Sequence, residues 1–209
     1  MTVLLLIRHG ENDYSRTGRL AGRMPGVDLN ERGRKQAEEL GKAFANVPLA
    51  AIYSSPLERA MQTAEPIAKA RGLRVIPTLG LLEANVGEWQ GKSVRRLALL
   101  KYWKVIQNAP SRARHPGGES FQETQTRIVS ALDSICAQHK DRDLVACVFH
   151  ADPIKLAIAH YIGLALDQFQ RLSCDTGSVS MLAVSASSAH LIWLNRRPPL
   201  NFPEPEKKK

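Results

Sequence analysis

Short apolar runs alternate with helix-patterned segments along most of this chain, and that alternation limits the fold more than any other feature. Val3–Ile7 is continuous and apolar, as a strand covered on both faces must be. Residues 11–29 are rich in glycine, arginine and polar groups and read as a long loop. Asn30 is placed to cap a helix over 31–46, where Ala37, Leu40, Gly41 and Phe44 recur on one face. Ala50–Tyr53 is a second short strand. Ser55-Pro56-Leu57-Glu58 reads as a capping box with proline at the first helical position, opening a helix to about Arg71 that stops at Gly72. Arg74–Ile76 is a third strand, and 92–108 read as a helix of mixed leucine, tryptophan and basic character. "HPGGES", 115–120, is a loop. Its last serine starts a second capping box, Ser120-Phe121-Gln122-Glu123, and a helix to about His139. Leu144–Phe149 is a buried strand, and Asp152-Pro153 caps and starts a helix ending before Gly163. Val179–Val184 and His190–Leu194 read as two strands joined by a Ser/Ala turn.

Strands alternating with helices imply an α/β fold with a largely parallel sheet covered on both faces. A length of 209 residues fits one domain, here 1–197, with 84–118 as a candidate cap insertion over one end of the sheet. The Pro-rich, charged tail, 198–209, is expected to be disordered. No run is long and apolar enough for a membrane span, and the opening MTVLLLI has no basic leader or cleavage site, so a cytoplasmic protein is expected. Cys136, Cys147 and Cys174 form no C-x-x-C pair, and an odd number suggests reduced, packing thiols. The net charge of +9 invites anions: nucleic acid, a phosphorylated small molecule, or only solvent around a basic surface. No nucleic-acid motif is visible, and part of the excess is the terminal Lys207-Lys208-Lys209. Arg95, Arg96, Lys101 and Lys104 form a local basic cluster, a solvated helix face or a lid that attracts an anionic substrate.

In a doubly wound sheet, ligands sit beyond the C-terminal ends of the strands. Arg8, His9 and Gly10 leave the first strand there, Ser54 and Ser55 the second, and His150 the fourth. Arg59 lies in the helix after the second strand, and Glu83 in a loop after the third. A neutral imidazole can attack phosphorus, and a neighbouring arginine disfavours its protonation. Guanidinium forks match phosphate oxygens, and a carboxylic acid of raised pKa can protonate a departing alkoxide. Gly10 is expected to let the backbone approach a ligand closely. His115, His139, His160 and His190 show no metal-ligand spacing, although His115 is a candidate substrate contact in its loop.

Six ordered segments carry a family resemblance: "LLLIRHGEND", "DLNERGRKQAEEL", "IYSSPLERAMQTAEPIA", "LLEANVGEWQGKS", "HPGGESFQETQTRI" and "VFHADPIKLAI". Over about residues 1–195 the chain resembles the histidine phosphatase superfamily, phosphoglycerate mutase-like branch. The resemblance implies a three-layer α/β/α sandwich with a mostly parallel sheet. It implies His9 as the phosphorylated nucleophile, Arg8 and Arg59 as a phosphate clamp, His150 completing the pocket, and Glu83 as proton donor and then base for water. Gly10, Ser15, Gly22 and Ala151 complete the candidate phosphate-binding set, with no metal and no cofactor. Ser15 stands where the family often has Asn, and Ala151 where it commonly has Gly.

The function expected is hydrolysis of a small phosphomonoester through a phosphohistidine. The alternative within the family is a phosphomutase, which would use a bisphosphorylated primer. Glycolytic mutases carry a long basic insertion after the acid residue; here the span from Glu83 to Glu119-Ser120 is short, which favours a phosphatase. A non-catalytic binding module for a phosphorylated ligand is the alternative of another class, and its mark would be loss of His9 or Glu83. The expected partner is a small phosphorylated metabolite, with neither nucleic acid nor membrane. The oligomeric state is left open, a homodimer included.

Overall fold

The computed structural model describes residues 1–202. Six strands form one sheet: β1 (Thr2–Arg8), β2 (Leu49–Ser54), β3 (Val75–Pro77), β4 (Leu144–Phe149), β5 (Val179–Val184) and β6 (Ala189–Arg196), in the order β3-β2-β4-β1-β5-β6. The first four strands in that order run parallel, while β5 is antiparallel to both β1 and β6. The sandwich expected from the sequence is thus the one observed. Helices α2 (Glu31–Phe44) and α3 (Glu58–Arg71) cover one face, and α6 (Phe121–Ala137) and α7 (Ala151–Tyr161) the other. Short helices α1 (Asp13–Arg16), α4 (Val94–Leu97) and α5 (Lys101–Asn108) lie in the connections.

The unbroken apolar run of β1 follows from this layering. Leu5 and Ile7 pack under α2 and α3 with Leu40, Phe44 and Ile67, while Leu4 and Leu6 pack under α6 and α7 with Ile128, Leu132 and Ile158. Each such buried Leu or Ile contributes roughly 1.5–3 kcal/mol. A third cluster, built on Trp89, Leu97, Ile106, Phe121 and Phe169, lies under the 84–118 segment. His115 is buried in it, edge-on to Trp89 and Phe121, and its Nδ1 is bonded to the Glu119 carbonyl, so it faces packing rather than substrate.

Where local signals act alone, they hold. Asn30 accepts from Gly33 N–H, and both halves of the Ser120/Glu123 capping box form. Elsewhere tertiary contacts override them. The 11–29 loop contains α1, capped by Asn12. The single helix expected over 92–108 is two helices. Leu97 and Ile106 sit ~2.5 turns apart, which would put them on opposite faces of one helix; the break lets both enter the same cluster. Helix α3 starts at Glu58, not beside Ser55, and its N-cap Leu57 has no side-chain bond. Helix α7 starts at Ala151 with His150 at the N-cap position, and Asp152 pairs with Lys155 at 2.8 Å instead of capping. The tail expected to be disordered from 198 packs instead: Leu200 and Phe202 join the core cluster, with Phe202 against Phe44 and Trp193. The rest of that tail, including Lys207-Lys208-Lys209, lies outside the described residues.

Candidate active site

Sheet register builds the centre of the site. Arg8 pairs with Phe149 across β1 and β4, so the next residues, His9 and His150, leave the sheet side by side. Their ring centroids are 5.2 Å apart, edge to face. Ser54 pairs with Val148 across β2 and β4, which sets Ser55 on the other side of His150. Ser55 Oγ and His150 Nε2 are 2.9 Å apart, both fully buried. The Ser55 hydroxyl meets His150 here and does not cap α3, whose N-cap position is Leu57.

His9 is 4% exposed, and its Nδ1 lies 2.7 Å from the Gly10 carbonyl. A carbonyl only accepts, so Nδ1 carries the proton and Nε2 keeps its lone pair. Burial lowers the His9 pKa well below the ordinary value, and the Arg59 and Arg8 guanidiniums lower it further. Gly10 N–H donates to Thr63 Oγ, and the Thr63 hydroxyl donates to the Arg59 carbonyl, tying the start of α3 to the β1 exit. Gly10 does not line the pocket. A Cβ there would meet the Gly33 carbonyl oxygen at 2.6 Å, so its glycine serves the close approach of α2 rather than of a ligand.

A pocket of about 190 Å³ is lined by Arg8, His9, Arg59, Glu83, Ala151 and Asp152 among others. Arg59 is only 1% exposed; its Nη2 donates to the Gly22 carbonyl at 2.7 Å, while Nε and Nη1 have no partner. Arg8 donates through Nη1 to the Cys174 carbonyl and leaves its buried Nε unpaired. His150 Nδ1 is likewise buried and unpaired, 3.8 Å from Glu83 Oε2. Six buried side-chain nitrogen or oxygen atoms lack partners among the described residues, and four of them are these nitrogens of Arg8, Arg59 and His150. Unpaired buried donors are costly, so a cluster of them asks for an acceptor, and two guanidiniums specify an anion.

Ser15 and Gly22 also line this pocket. Ser15, however, closes a capping box with Asn12: its hydroxyl donates to the Asn12 carbonyl, so it has no free proton for a phosphate. Asn12, buried at the same wall, spends its side-chain oxygen on Ser15 N–H and keeps its amide donors. The N-x-x-S spacing of Asn12 and Ser15 was a readable sign of that cap. Gly22 has φ +53°, and a Cβ there would press on Gln90 and Val86 at 2.8 Å.

The Glu83 backbone is held by two arginines the sequence reading did not single out. Arg23 Nε donates to the Glu83 carbonyl at 2.7 Å, and Arg127 donates to the Leu82 and Glu83 carbonyls. Glu119 binds both arginines, and despite its burial these partners and Asn85 N–H hold its carboxyl down at about 2. The Glu83 side chain itself accepts from Ala84 N–H. Burial pushes its carboxyl up and Asp152 adds to that, outweighing Arg59 and Arg8, so its pKa stands at about 7. Glu88, the next carboxylate along this loop, is exposed and outside the pocket.

The Ser55–His150 bond sets a tautomer. The Ser55 hydroxyl has no other acceptor among the described residues, so its proton goes to His150 Nε2 and the imidazole proton sits on Nδ1, on the side of Glu83. Ser55→Ala is expected to lower kcat/KM by about tenfold, the scale of one lost buried hydrogen bond. It should also change the His150 ring-nitrogen NMR signals from a single Nδ1–H tautomer to a mixture. An unchanged tautomer would show that Ser55 does not orient this ring.

Comparison with known proteins accords with this geometry. The model of the "Histidine phosphatase superfamily (branch 1)" matches residues 4–197. Phosphoserine phosphatase 1 of Hydrogenobacter thermophilus is 31% identical over 93% of this chain and 92% of its own. A 2,3-bisphosphoglycerate-dependent phosphoglycerate mutase of Thermoplasma acidophilum is 27% identical over 88% of each. Among solved structures, YhfR of Bacillus stearothermophilus superposes with a TM-score of 0.85 at 30% identity, covering 92% of this chain and 96% of that one. The chain therefore belongs, as an enzyme, to the histidine phosphatase superfamily (branch 1).

Proposed function

We propose that the enzyme hydrolyses a small phosphomonoester through a phosphohistidine on His9 Nε2, and that Arg8, Arg59 and His150 hold the transferring phosphoryl group. The observation that carries this reading is the cluster of unpaired buried donors on those three residues around one imidazole whose Nε2 is free. The Nε2 lone pair attacks phosphorus in line as the ester P–O bond breaks, and Glu83 delivers its proton to the departing oxygen. The charge on the equatorial oxygens is met by the guanidiniums and by His150 Nδ1–H. The Gly10 carbonyl steadies the positive charge that grows on the His9 ring. Glu83, now ionised, takes a proton from water as that water attacks phosphorus; the P–N bond breaks, and its electron pair returns to Nε2. Nothing in this scheme calls for a metal or an organic cofactor.

Phosphoserine is the first substrate to test, since it names the H. thermophilus relative. We place the enzyme in the cytoplasm, a reading supported by its three free cysteines. No helix of the described residues is long and apolar enough to cross a membrane. A screen of phosphorylated metabolites that scores phosphate release and isomer formation together tests the reaction class. Phosphate release without isomer is expected; isomer formation as the main product would replace the hydrolase with the mutase that the T. acidophilum relative is named for.

Glu83 sets a pH limb. As an acid it must be protonated, and its pKa of about 7 means that kcat/KM for an alkyl phosphate should fall as pH rises through that value. Glu83→Gln is expected to slow alkyl phosphates by about 10²–10⁴-fold while leaving an aryl phosphate with a good leaving group far less affected. Equal losses on both substrates would remove Glu83 from the acid role.

A further inference from the structure

Glu83 stands on a stretch with no hydrogen-bond ladder of its own. Residues 82–86 are in neither helix nor strand, and a reacting group keeps its geometry only when its support is rigid. Here the support comes from outside. Arg127 Nη1 donates to the Gly80 and Leu82 carbonyls at 2.9 Å each, and Arg127 Nη2 to the Glu83 carbonyl at 3.3 Å. Arg23 Nε donates to the same Glu83 carbonyl at 2.7 Å. Both arginines and Asn85 then meet at one carboxylate, that of Glu119 in the HPGGES loop. Its Oε1 accepts from Arg23 Nη2 at 2.8 Å, and its Oε2 from Arg127 Nη2 and from Asn85 N–H, each at 3.0 Å. Glu119 thus joins three separate segments: the loop after β1, the stretch that carries the acid, and α6.

The loop that bears Glu119 is itself pressed onto this stretch. Glu88 N–H donates to the Pro116 carbonyl at 2.9 Å, and Glu119 N–H to the Asn85 carbonyl at 2.8 Å. A Cβ at Gly118 would meet the Asn85 carbonyl oxygen at 2.1 Å, and one at Gly87 the Pro116 carbonyl oxygen at 2.1 Å, so two backbones touch where side chains would part them. No residue of 115–120 lines the catalytic pocket. Among the described residues, Glu119 is the one carboxylate paired with either Arg23 or Arg127. Without it two guanidiniums would converge on one carbonyl, and like charges with no anion between them move apart, releasing the backbone they hold.

We propose that Glu119 is a positioning residue for the acid: by pairing with Arg23 and Arg127 and fixing Asn85, it holds the backbone from which the Glu83 carboxyl reaches the departing oxygen. This rests on the phosphatase reading above, in which Glu83 is that acid.

The test compares kcat/KM for an alkyl phosphate with kcat/KM for an aryl phosphate whose leaving group needs little help from an acid. In Glu119→Ala the alkyl-to-aryl ratio should fall by about 10²-fold, the scale on which a misplacement of about 1 Å acts. Glu119→Asp, which keeps the charge, should recover part of that loss. Arg23→Gln should lower the ratio in the same sense by about tenfold, the scale of one lost charge-assisted hydrogen bond, and decides the matter if Glu119→Ala does not fold. In the double variant Glu83→Gln/Glu119→Ala the ratio should equal that of Glu83→Gln alone, since a residue that acts only through Glu83 then has nothing left to position. A wild-type ratio in the folded Glu119 and Arg23 variants, or a further fall in the double variant, overturns the positioning role and leaves a brace that is only structural. An unchanged ratio in Glu83→Gln itself overturns the acid reading, and the positioning role with it.

Discussion

Arg59→Met is expected to lower kcat/KM by about 10³-fold or more while leaving Tm unchanged or raised. The two halves of this result have one cause. Arg59 is almost wholly buried at the start of α3, and two of its nitrogens have no partner in the chain. Burial lowers its pKa, with the Glu83 and Glu58 carboxylates opposing that shift. A buried charge without a full set of bonds destabilises the fold, and an apolar replacement of similar length is often neutral or stabilising. The loss of the bond to the Gly22 carbonyl offsets part of that gain, on the order of 1 kcal/mol. In the reaction the same unpaired nitrogens meet phosphoryl oxygens. Two further readouts follow. Inorganic phosphate should raise the Tm of the wild type but much less that of Arg59→Met, because a ligand stabilises only the state that binds it. The pH limb of the residual activity should also move upward, since Arg59 is one of the groups that pull the Glu83 pKa down. Near-normal kcat/KM in this variant would mean that the clamp lies elsewhere.

His9→Ala is expected to reduce turnover by about 10⁴-fold or more, the scale on which loss of a nucleophile falls. Its effect on binding should be the reverse of that of Arg59→Met. His9 contributes the attacking lone pair, whereas the phosphate is held by Arg8, Arg59 and His150. The variant should therefore fold with a similar Tm and still be stabilised by inorganic phosphate. Loss of turnover with phosphate binding retained separates a nucleophile from a clamp. A variant that keeps wild-type turnover would end the covalent mechanism.

Much of this was legible in the chain because it is set locally or by repetition. Leu4–Ile7 and Leu144–Phe149 are apolar at every position, so both faces had to be covered wherever the strands lay, and Ser120 and Glu123 cap α6 with atoms of the same turn. The residues gathered at the pocket, Arg8, His9, Arg59, Glu83 and His150, share the strand ends and loops to which their positions pointed. What was not legible depends on partners far away in sequence. The Ser55 hydroxyl looked like a helix cap until β4 brought His150 beside it from 95 positions on. Gly10 looked like room for a ligand, and the room is taken by Gly33 of α2. Ser15, which the resemblance places on the phosphate, instead commits its hydroxyl to the Asn12 carbonyl, because a short unforeseen helix is capped there. Leu200 and Phe202 lie in a stretch whose composition speaks for disorder, yet two apolar side chains find Phe44 and Trp193.

The mechanism turns on which nitrogen of His9 attacks. With Nδ1 committed to the Gly10 carbonyl, only Nε2 is free to reach phosphorus. Rapid quenching of the enzyme during turnover of a phosphomonoester, followed by phosphorus NMR and peptide sequencing of the trapped protein, measures this directly. The expected result is an acid-labile phosphoryl group on Nε2 of His9, absent from His9→Ala. A phosphoryl group on Nδ1, on another residue, or on none while turnover continues would contradict it.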